Sequence, residues 1–225
     1  LLTLKALNTV SQEHFYKGYF TAMHGLLAQF IQQNKYGKFC FGNIFPILNQ
    51  KVEQDKNYSI IISSPDPSII EKLFFALPID SLLNLGELQF KITDINVKIQ
   101  KLKNKSIIES ISPVNITTHK DNKIISYKFD HEGYQHLLEK QLIKKYAFLK
   151  GQTFNFELFK NVEINVCEKH PSSSFQINLF NKGENKHFNV LGSKLVLKFN
   201  SISDEQLQVF QTLFDSGFGE RTTFG

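Results

Sequence analysis

The chain has few residues of several types, and each shortage argues against a class of protein. Its 225 residues include only two cysteines, Cys40 and Cys167, which lie far apart in stretches expected to be strands. A disulfide framework needs more cysteines, and neither one has the paired spacing of a zinc site. We therefore expect reduced thiols and a cytoplasmic protein. No apolar run approaches the roughly 18 residues that a membrane-spanning helix requires, so we expect no membrane association.

Positive charge is carried almost entirely by lysine. Lysine and arginine together number 26 against 21 acidic residues, giving a net charge of +5, but Arg221 is the only arginine. This moderate excess is compatible with a polyanionic partner and does not by itself identify one. Asp66, Asp94 and Asp204 stand alone in turns, caps or strand edges, which disfavours a two-metal nuclease. We expect neither a metal nor a cofactor.

The first half of the chain has the pattern of a split βαβ unit. Residues 1–8 alternate like a strand, and residues 12–34 carry apolar side chains at helical spacing. Two β-rich stretches follow, GKFCFGNIFPI and NYSIIISS. Residues 64–78 predict a short helix that ends before a proline, and ELQFKITDINVKI predicts a further strand. The order β-α-β-β-α-β is the ferredoxin-like plan.

The second half repeats this rhythm with additional strands. Residues 131–149 predict a helix with Asp130 as its cap, and a last helix is expected from Ser203 or Asp204 to Gly217. We predict an α+β protein of two tandem ferredoxin-like (RRM-like) domains, residues 1–100 and 105–225, with a C-terminal glycine-rich loop. The junction reads KIQKLKNKS, whose lysines form either a solvated linker or a phosphate-contacting edge.

The chain ends on DSGFGERTTFG, and we call residues 217–225 the glycine-rich segment. Its glycines permit positive φ angles, so backbone N–H groups can turn towards one anion. Arg221 adds a planar fork of donors suited to phosphate, and Thr222 and Thr223 add hydroxyls. The segment follows the end of a helix and lacks a GK[ST] ending, which argues against a nucleotide P-loop. A plain glycine-rich turn is the alternative.

The segment resembles the motif G-x-G-x-x-T-T-x-G-x-G of the CRISPR-associated repeat-processing endoribonucleases of the RAMP superfamily. Gly217, Gly219, Thr222 and Thr223 match it, and Gly225 is the first closing glycine. GKFCFGNIFP is similar to the KPFTFSNLFP-like second strand of that family, and MHGLLAQFI is similar to its LHGLLxxxI-like first helix. VLGSKLVLKF fits the strand before the last helix. The resemblance implies two ferredoxin-like domains.

The resemblance also implies an activity, the cleavage of CRISPR precursor RNA within its repeats to give mature guide RNAs. The 2′-hydroxyl attacks the adjacent phosphate without a metal, leaving a 2′,3′-cyclic phosphate and a 5′-hydroxyl. A base, an acid and a cation assist. An alternative is a catalytically inactive RAMP-type subunit that binds the crRNA in an effector complex, and an unrelated ferredoxin-like domain that binds a protein or a small ligand is a third.

The expected catalytic residues are His24, Tyr19 and Lys38. His24 occupies the histidine of the matched HG motif, at the edge of the apolar face of the first helix. A boundary histidine is the alternative, and many relatives carry a second histidine where this chain reads IQQNKYGK. Tyr19 lies on the apolar stripe, where core packing is an alternative. Lys38 lies after the helix, where it could bind a phosphate or simply face solvent.

RNA contacts are expected to be electrostatic and based on shape. The implied contacts are Gly217, Gly219, Arg221, Thr222, Thr223, Lys35, Lys101 and Lys103. Further lysines that could meet phosphates are Lys98, Lys105, Lys120, Lys123, Lys144 and Lys145. The expected partner is CRISPR repeat RNA, as pre-crRNA and crRNA, and an effector complex and a homodimer are left open.

Overall fold

A computed structural model describes residues 1–31, 38–47, 51–110, 114–120, 123–167, 173–181 and 184–218. The chain divides into two compact units with the boundary between Ile99 and Gln100. Each unit has its own hydrophobic core. Within the described ranges, no helix has both the length and the apolar character needed to cross a membrane.

The first unit is built around an antiparallel sheet of order β5-β1-β8-β7. Its elements are β1 (Leu2–Ala6), β2 (Val10–Ser11), α1 (Gln12–Ile31), β3 (Cys40–Phe41), β4 (Lys51–Val52), β5 (Asn57–Ile60), β6 (Ile62–Ser63), α2 (Pro67–Ala76), β7 (Leu82–Leu85) and β8 (Leu88–Ile95). β3 pairs with β6, and an isolated bridge joins Phe45 to Ser59 of β5, so this stretch borders β5 and β6. With the short β2 and β4 and the added strand β7 set aside, and with β5 and β6 taken as one interrupted strand, the order is the predicted β-α-β-β-α-β.

The elements of the first unit follow from local sequence signals. In β1, alternate residues Leu2, Leu4 and Ala6 are buried, which is the pattern of a strand with one face on the core. The Asp66 side chain caps α2 by accepting from Ser68 N at 3.0 Å, and Pro67 occupies the first turn. α2 therefore lies within the predicted segment 64–78 and begins at Pro67.

Three residues on one face of α1 are buried completely. Tyr19, Met23 and Leu27 recur every four residues, and each has 0% exposure. This spacing places the three side chains on one stripe of the helix, in the core that β1, β5 and β8 also line. Burial of the stripe fixes the rotation of α1 about its axis, and with it the direction of every neighbouring side chain.

The second unit contains a three-stranded antiparallel ladder of order β12-β15-β9. Its elements are β9 (Ile107–Glu109), β10 (Ile116–Lys120), β11 (Lys123–Tyr127), α3 (Tyr134–Lys150), β12 (Val162–Val166), β13 (Ser173–Asn181), β14 (Glu184–Gly192), β15 (Leu195–Phe199) and α4 (Asp204–Ser216). The hairpins β10–β11 and β13–β14 are insertions between the elements of the plan. Without them the order is β9-α3-β12-β15-α4, and the strand expected after α4 falls outside the described residues.

The start of α3 differs from the prediction. Asp130 was expected to cap this helix, but the cap residue is Gly133, with φ of 80°, and no side chain satisfies the first turn. The chain first makes a turn in which Tyr134 N donates to His131 O at 3.0 Å. Because these turn residues lie between Asp130 and the first helical residue, the Asp130 carboxylate is too early in the chain to act as the cap.

α4 begins with a capping box at Ser203, one of the two predicted starts of this helix. Gln206 N donates to Ser203 Oγ at 3.2 Å, and Ser203 N donates to Gln206 Oε1 at 3.0 Å. The Gln206 side chain is buried, and its Nε2 lies 2.8–3.4 Å from three carbonyl oxygens of the turn before β12, those of Glu157, Leu158 and Lys160. One side chain therefore caps α4 and holds this turn.

We expect Gln206→Ala to lower the free energy of unfolding by about 2–3 kcal/mol, because it leaves buried carbonyl groups without their donor. Gln208→Ala is the matched control, since Gln208 is an exposed glutamine on the same helix. Urea unfolding of both variants measures the difference. Equal stability of the two variants would contradict the role assigned to Gln206.

Candidate functional site

His24 lies at the margin of the buried stripe of α1. Its neighbour Met23 is fully buried, whereas His24 is half-buried. The imidazole packs against the ring of Phe39, with 6.0 Å between ring centroids and a tilt of 38°. Phe39 itself has 3% exposure, so it forms a fixed wall on one side of the imidazole. A histidine held in this way has a defined orientation and a part of its surface in solvent.

Burial lowers the pKa of His24 below its ordinary value. Desolvation penalises the charged imidazolium and therefore favours the neutral ring. Near neutral pH the ring then carries one proton and offers one nitrogen lone pair. A neutral imidazole can take a proton from a hydroxyl group, which is the first task of a general base.

Tyr19 ties α1 to the stretch that contains β3. Its hydroxyl donates to Gly42 O at 2.8 Å, and its ring meets the ring of Phe41 edge-on, with centroids 6.2 Å apart. Phe39 and Phe41 are two residues apart, so in an extended chain they point to the same side. The contacts of Tyr19 with Phe41 and of His24 with Phe39 thus lie side by side. With 0% exposure, Tyr19 presents no surface to a substrate in this conformation.

Lys38 lies one residue before Phe39, and its backbone is anchored near the start of α2. Ser64 Oγ donates to Lys38 O at 2.6 Å. The Ser68 hydroxyl, which donates to the carboxylate, lowers the pKa of Asp66, and the positive charge of Lys38 lowers it further. Lys38 therefore adjoins Phe39, the residue that packs against His24, and its positive charge acts on Asp66.

Two of the expected RNA contacts, Lys101 and Lys103, adjoin residues that are hydrogen-bonded to the C-terminal half of α4, and a third, Gly217, ends that helix. Gln211 Oε1 accepts from Leu102 N at 2.8 Å, and its Nε2 donates to Gln100 O at 3.0 Å, so the stretch 100–102 is fastened to the helix. Leu102 packs on the core of the second unit, and Lys101 and Lys103 on either side of it are exposed. Gly217 ends the helix six residues after Gln211, about 9 Å further along the axis.

Sequence reasoning did not identify Gln211, because nothing in its local pattern marks an amide that bonds a stretch 109 residues away. It did identify Gly217 as the end of α4, and the observed φ of 78° agrees with that prediction. Lys35, Gly219, Arg221, Thr222 and Thr223 lie outside the described residues.

Lys145, expected among the lysines that meet phosphates, makes an internal contact. Its ammonium group donates to Ser216 O at 2.9 Å and to Gly217 O at 2.6 Å. Its neighbour Lys144 is exposed. The two adjacent lysines therefore differ in environment, although the sequence does not distinguish them.

Comparisons with known proteins agree with this fold. Residues 96–225 match the family model described as CRISPR associated protein Cas6, C-terminal. The CRISPR-associated endoribonuclease Cas6 2 of Methanocaldococcus jannaschii is 27% identical over 201 residues, which is 86% of this chain and 80% of that protein. An endoribonuclease-like protein, Cas6nc of Pyrococcus horikoshii, is 24% identical over 202 residues, covering 84% and 77%.

A solved structure described as an RAMP protein binding different RNA substrates resembles the whole chain, with a TM-score of 0.72 and 18% identity. It covers 100% of this chain and 95% of its own. This likeness, together with the order of elements in each unit, confirms the predicted α+β fold of two tandem ferredoxin-like domains.

We expect His24 to titrate below pH 6.5 in the folded protein, because burial disfavours its charged form. Between its folded pKa and about 6.5, the unfolded chain binds more protons than the folded one. The contribution of His24 to stability therefore falls as the pH drops through 6.5 and levels off below the folded pKa. NMR titration of the imidazole resonances, with His24→Gln for assignment, measures the midpoint. A midpoint at or above 6.5 would refute the expectation.

Proposed function

Because the chain belongs to the CRISPR-associated Cas6 family, we propose that it is an endoribonuclease that cleaves CRISPR precursor RNA within its repeats and releases mature guide RNAs. The family match and the endoribonuclease from Methanocaldococcus jannaschii support the processing of CRISPR RNA. The cleavage chemistry rests on this chain's own residues, and above all on the half-buried His24 beside Phe39.

We propose a metal-independent transesterification in which His24 acts as the base. The neutral imidazole takes the proton of the 2′-hydroxyl upstream of the scissile phosphate, and the 2′-oxygen attacks phosphorus. The bond to the 5′-oxygen breaks, and this oxygen takes a proton from an acid. The products are a 2′,3′-cyclic phosphate and a 5′-hydroxyl. Burial supports the assignment of His24 as base, because it keeps the ring neutral and able to accept a proton.

Lys38 and Tyr19 receive different roles in this proposal. Lys38 follows α1 and adjoins Phe39, and its cation would offset the negative charge that develops on the phosphorane. Tyr19 is buried and donates to Gly42 O, which supports a positioning role. By holding α1 to the stretch 39–42, it fixes the distance between His24 and the chain that carries Lys38.

Most RNA contacts are assigned to the second domain and the junction before it, and cleavage is assigned to the first domain. We propose domains of residues 1–100 and 105–225, with RNA contacts from the glycine-rich segment, Lys101 and Lys103, and from Lys35 of the first domain. The fastening of residues 100–102 to α4 supports this, because it holds two exposed lysines on the helix that leads into the segment. We propose a cytoplasmic protein on the grounds of its free cysteines.

A second candidate function is a catalytically inactive RAMP-type subunit that keeps the crRNA bound. The endoribonuclease-like relative from Pyrococcus horikoshii favours it. So does IQQNKYGK, at the place where many members of the resembled family carry a second histidine. An effector complex and a homodimer belong to this candidate as proposed partners.

We expect wild-type protein to cleave its repeat RNA in EDTA, and His24→Ala to lower the cleavage rate by about 10²–10⁴-fold, the usual contribution of general base catalysis. His136→Ala is the matched control, since His136 is an exposed histidine on α3. RNA with a 2′-deoxyribose before the cut should resist cleavage. Gel analysis of product ends identifies the cyclic phosphate and the 5′-hydroxyl.

The outcomes separate the two candidates. Tight binding of wild-type protein without cleavage supports the inactive subunit. Undiminished cleavage by His24→Ala removes His24 from the mechanism but leaves the endoribonuclease standing. Cleavage of the deoxy substrate at the normal rate contradicts attack by the 2′-hydroxyl.

We expect Arg221→Lys to weaken repeat-RNA binding by about tenfold, because lysine keeps the charge but lacks the planar fork of donors. Fluorescence anisotropy at a fixed salt concentration measures the affinity. Lys128→Ala, which removes one charge at an exposed position, serves as the control. An unchanged affinity with a lowered melting temperature would show that Arg221 serves folding instead.

A further inference from the structure

The end of α4 is held by a lysine side chain that takes no part in the proposed cleavage reaction. Lys145 of α3 donates from Nζ to Ser216 O at 2.9 Å and to Gly217 O at 2.6 Å. These carbonyls belong to the last residue of α4 and to its cap. The last carbonyls of a helix lack hydrogen-bond donors within the helix and lie at the negative end of its dipole. A cation at this point donates hydrogen bonds to the carbonyls and offsets the negative charge.

Two further contacts fix the same point of the chain. Gly217 N donates to Phe214 O at 3.3 Å. The ring of Phe218 packs near the ring of Phe210, with 6.4 Å between centroids, and Phe210 is fully buried. Gly217 and Phe218 are the first two residues of the glycine-rich segment, so the direction in which the segment leaves α4 is set by these contacts.

Lys145 differs in its environment from the exposed lysines that are available to RNA. Lys145 is half-buried on α3, near the buried residues Leu142 and Tyr146. Its ammonium group donates to the backbone at the end of α4. Lys144 lies beside it and is exposed. A lysine that gives two donors to backbone carbonyls contributes to the geometry of the protein and does not need to touch a phosphate.

We propose that Lys145 is a positioning residue for RNA binding, which aims the glycine-rich segment by holding the carbonyls of Ser216 and Gly217. The proposal rests on the proposed function, in which that segment contacts the RNA backbone. Loss of the two charge-assisted hydrogen bonds lets the base of the segment move. RNA affinity then falls although no phosphate contact has been removed.

The salt dependence of binding tests this directly. Removal of a lysine that contacts a phosphate lowers the slope of log K against log salt by about one, because one fewer counterion is released. Lys145→Met keeps the apolar stem but loses the donors. We expect it to weaken binding of the full chain to repeat RNA by about tenfold with an unchanged slope. We expect Lys145→Arg, which retains cationic donors, to restore most of the affinity.

Lys140→Met is the matched control, because it removes the same charge from an exposed position of the same helix that has no assigned RNA contact. Hydrogen–deuterium exchange of the free protein adds a readout that needs no RNA. Amides from Gly217 onwards should exchange faster in Lys145→Met than in wild type or in Lys140→Met. Melting temperatures verify that every variant is folded, and Lys145→Arg keeps the test open if Lys145→Met does not fold.

Each result decides between definite alternatives. A reduced salt slope in Lys145→Met means direct phosphate contact and overturns the proposal, as does an affinity equal to that of Lys140→Met. Exchange that does not change from Gly217 onwards also overturns it. If wild-type protein binds repeat RNA and Arg221→Ala binds it equally well, the glycine-rich segment has no role in RNA binding and the proposal is overturned. Faster exchange in Lys145→Met would then show only that Lys145 holds the end of α4. If wild-type protein binds no repeat RNA, the proposed function itself fails.

Discussion

Burial of one stripe of α1 is the constraint on which the candidate catalytic site depends. Met23 is fully buried, and adjacent residues of an α-helix point about 100° apart, so His24 must emerge at the edge of the stripe. A rotation of the helix by one position would bury the imidazole and expose a methionine. The hydrogen bond from the Tyr19 hydroxyl to Gly42 O helps to hold the helix in the same rotation. His24 is thus partly accessible because the residues of the adjacent stripe, Tyr19, Met23 and Leu27, occupy the core.

The second unit uses polar side chains for the corresponding task. Gln206 and Gln211 of its last helix, α4, bond to backbone atoms of other stretches of chain, and Lys145 of α3 bonds to backbone atoms at the end of α4. Side chains with several donors or acceptors suit this purpose, because one residue can satisfy two or three groups. α4 therefore links the turn before β12, the stretch 100–102 and the start of the glycine-rich segment to one rigid element.

Much of the fold could be predicted because its signals are local. The alternation in β1, the short helix predicted within residues 64–78 and the start of α4 near Ser203 each depend on a few consecutive residues. β7 was not predicted, because SLLNLGELQF also suits a single strand and only the positive φ of Gly86 turns it into a hairpin. Asp130 failed as a cap because the chain turns before α3 begins. β14 has no clear alternation in ENKHFNVLG and was not predicted either.

The candidate site divides in the same way between local and long-range information. His24 could be identified from a helical pattern within one element. Gln211 and Lys145 could not, since their partners lie 109 and 72 residues away in the chain. A glutamine or a lysine on a helix is ordinary by itself, and only the tertiary fold shows which carbonyl or amide group it meets.

The turn before β12 illustrates how such a contact limits sequence change. Surface turns usually tolerate insertions, because their backbone groups bond to water. Here the carbonyls of Glu157, Leu158 and Lys160 converge on one amide nitrogen. One residue more or fewer would turn at least one carbonyl away from it. Variation in length among related chains should therefore accumulate in the inserted hairpins β10–β11 and β13–β14, while this short turn keeps its length.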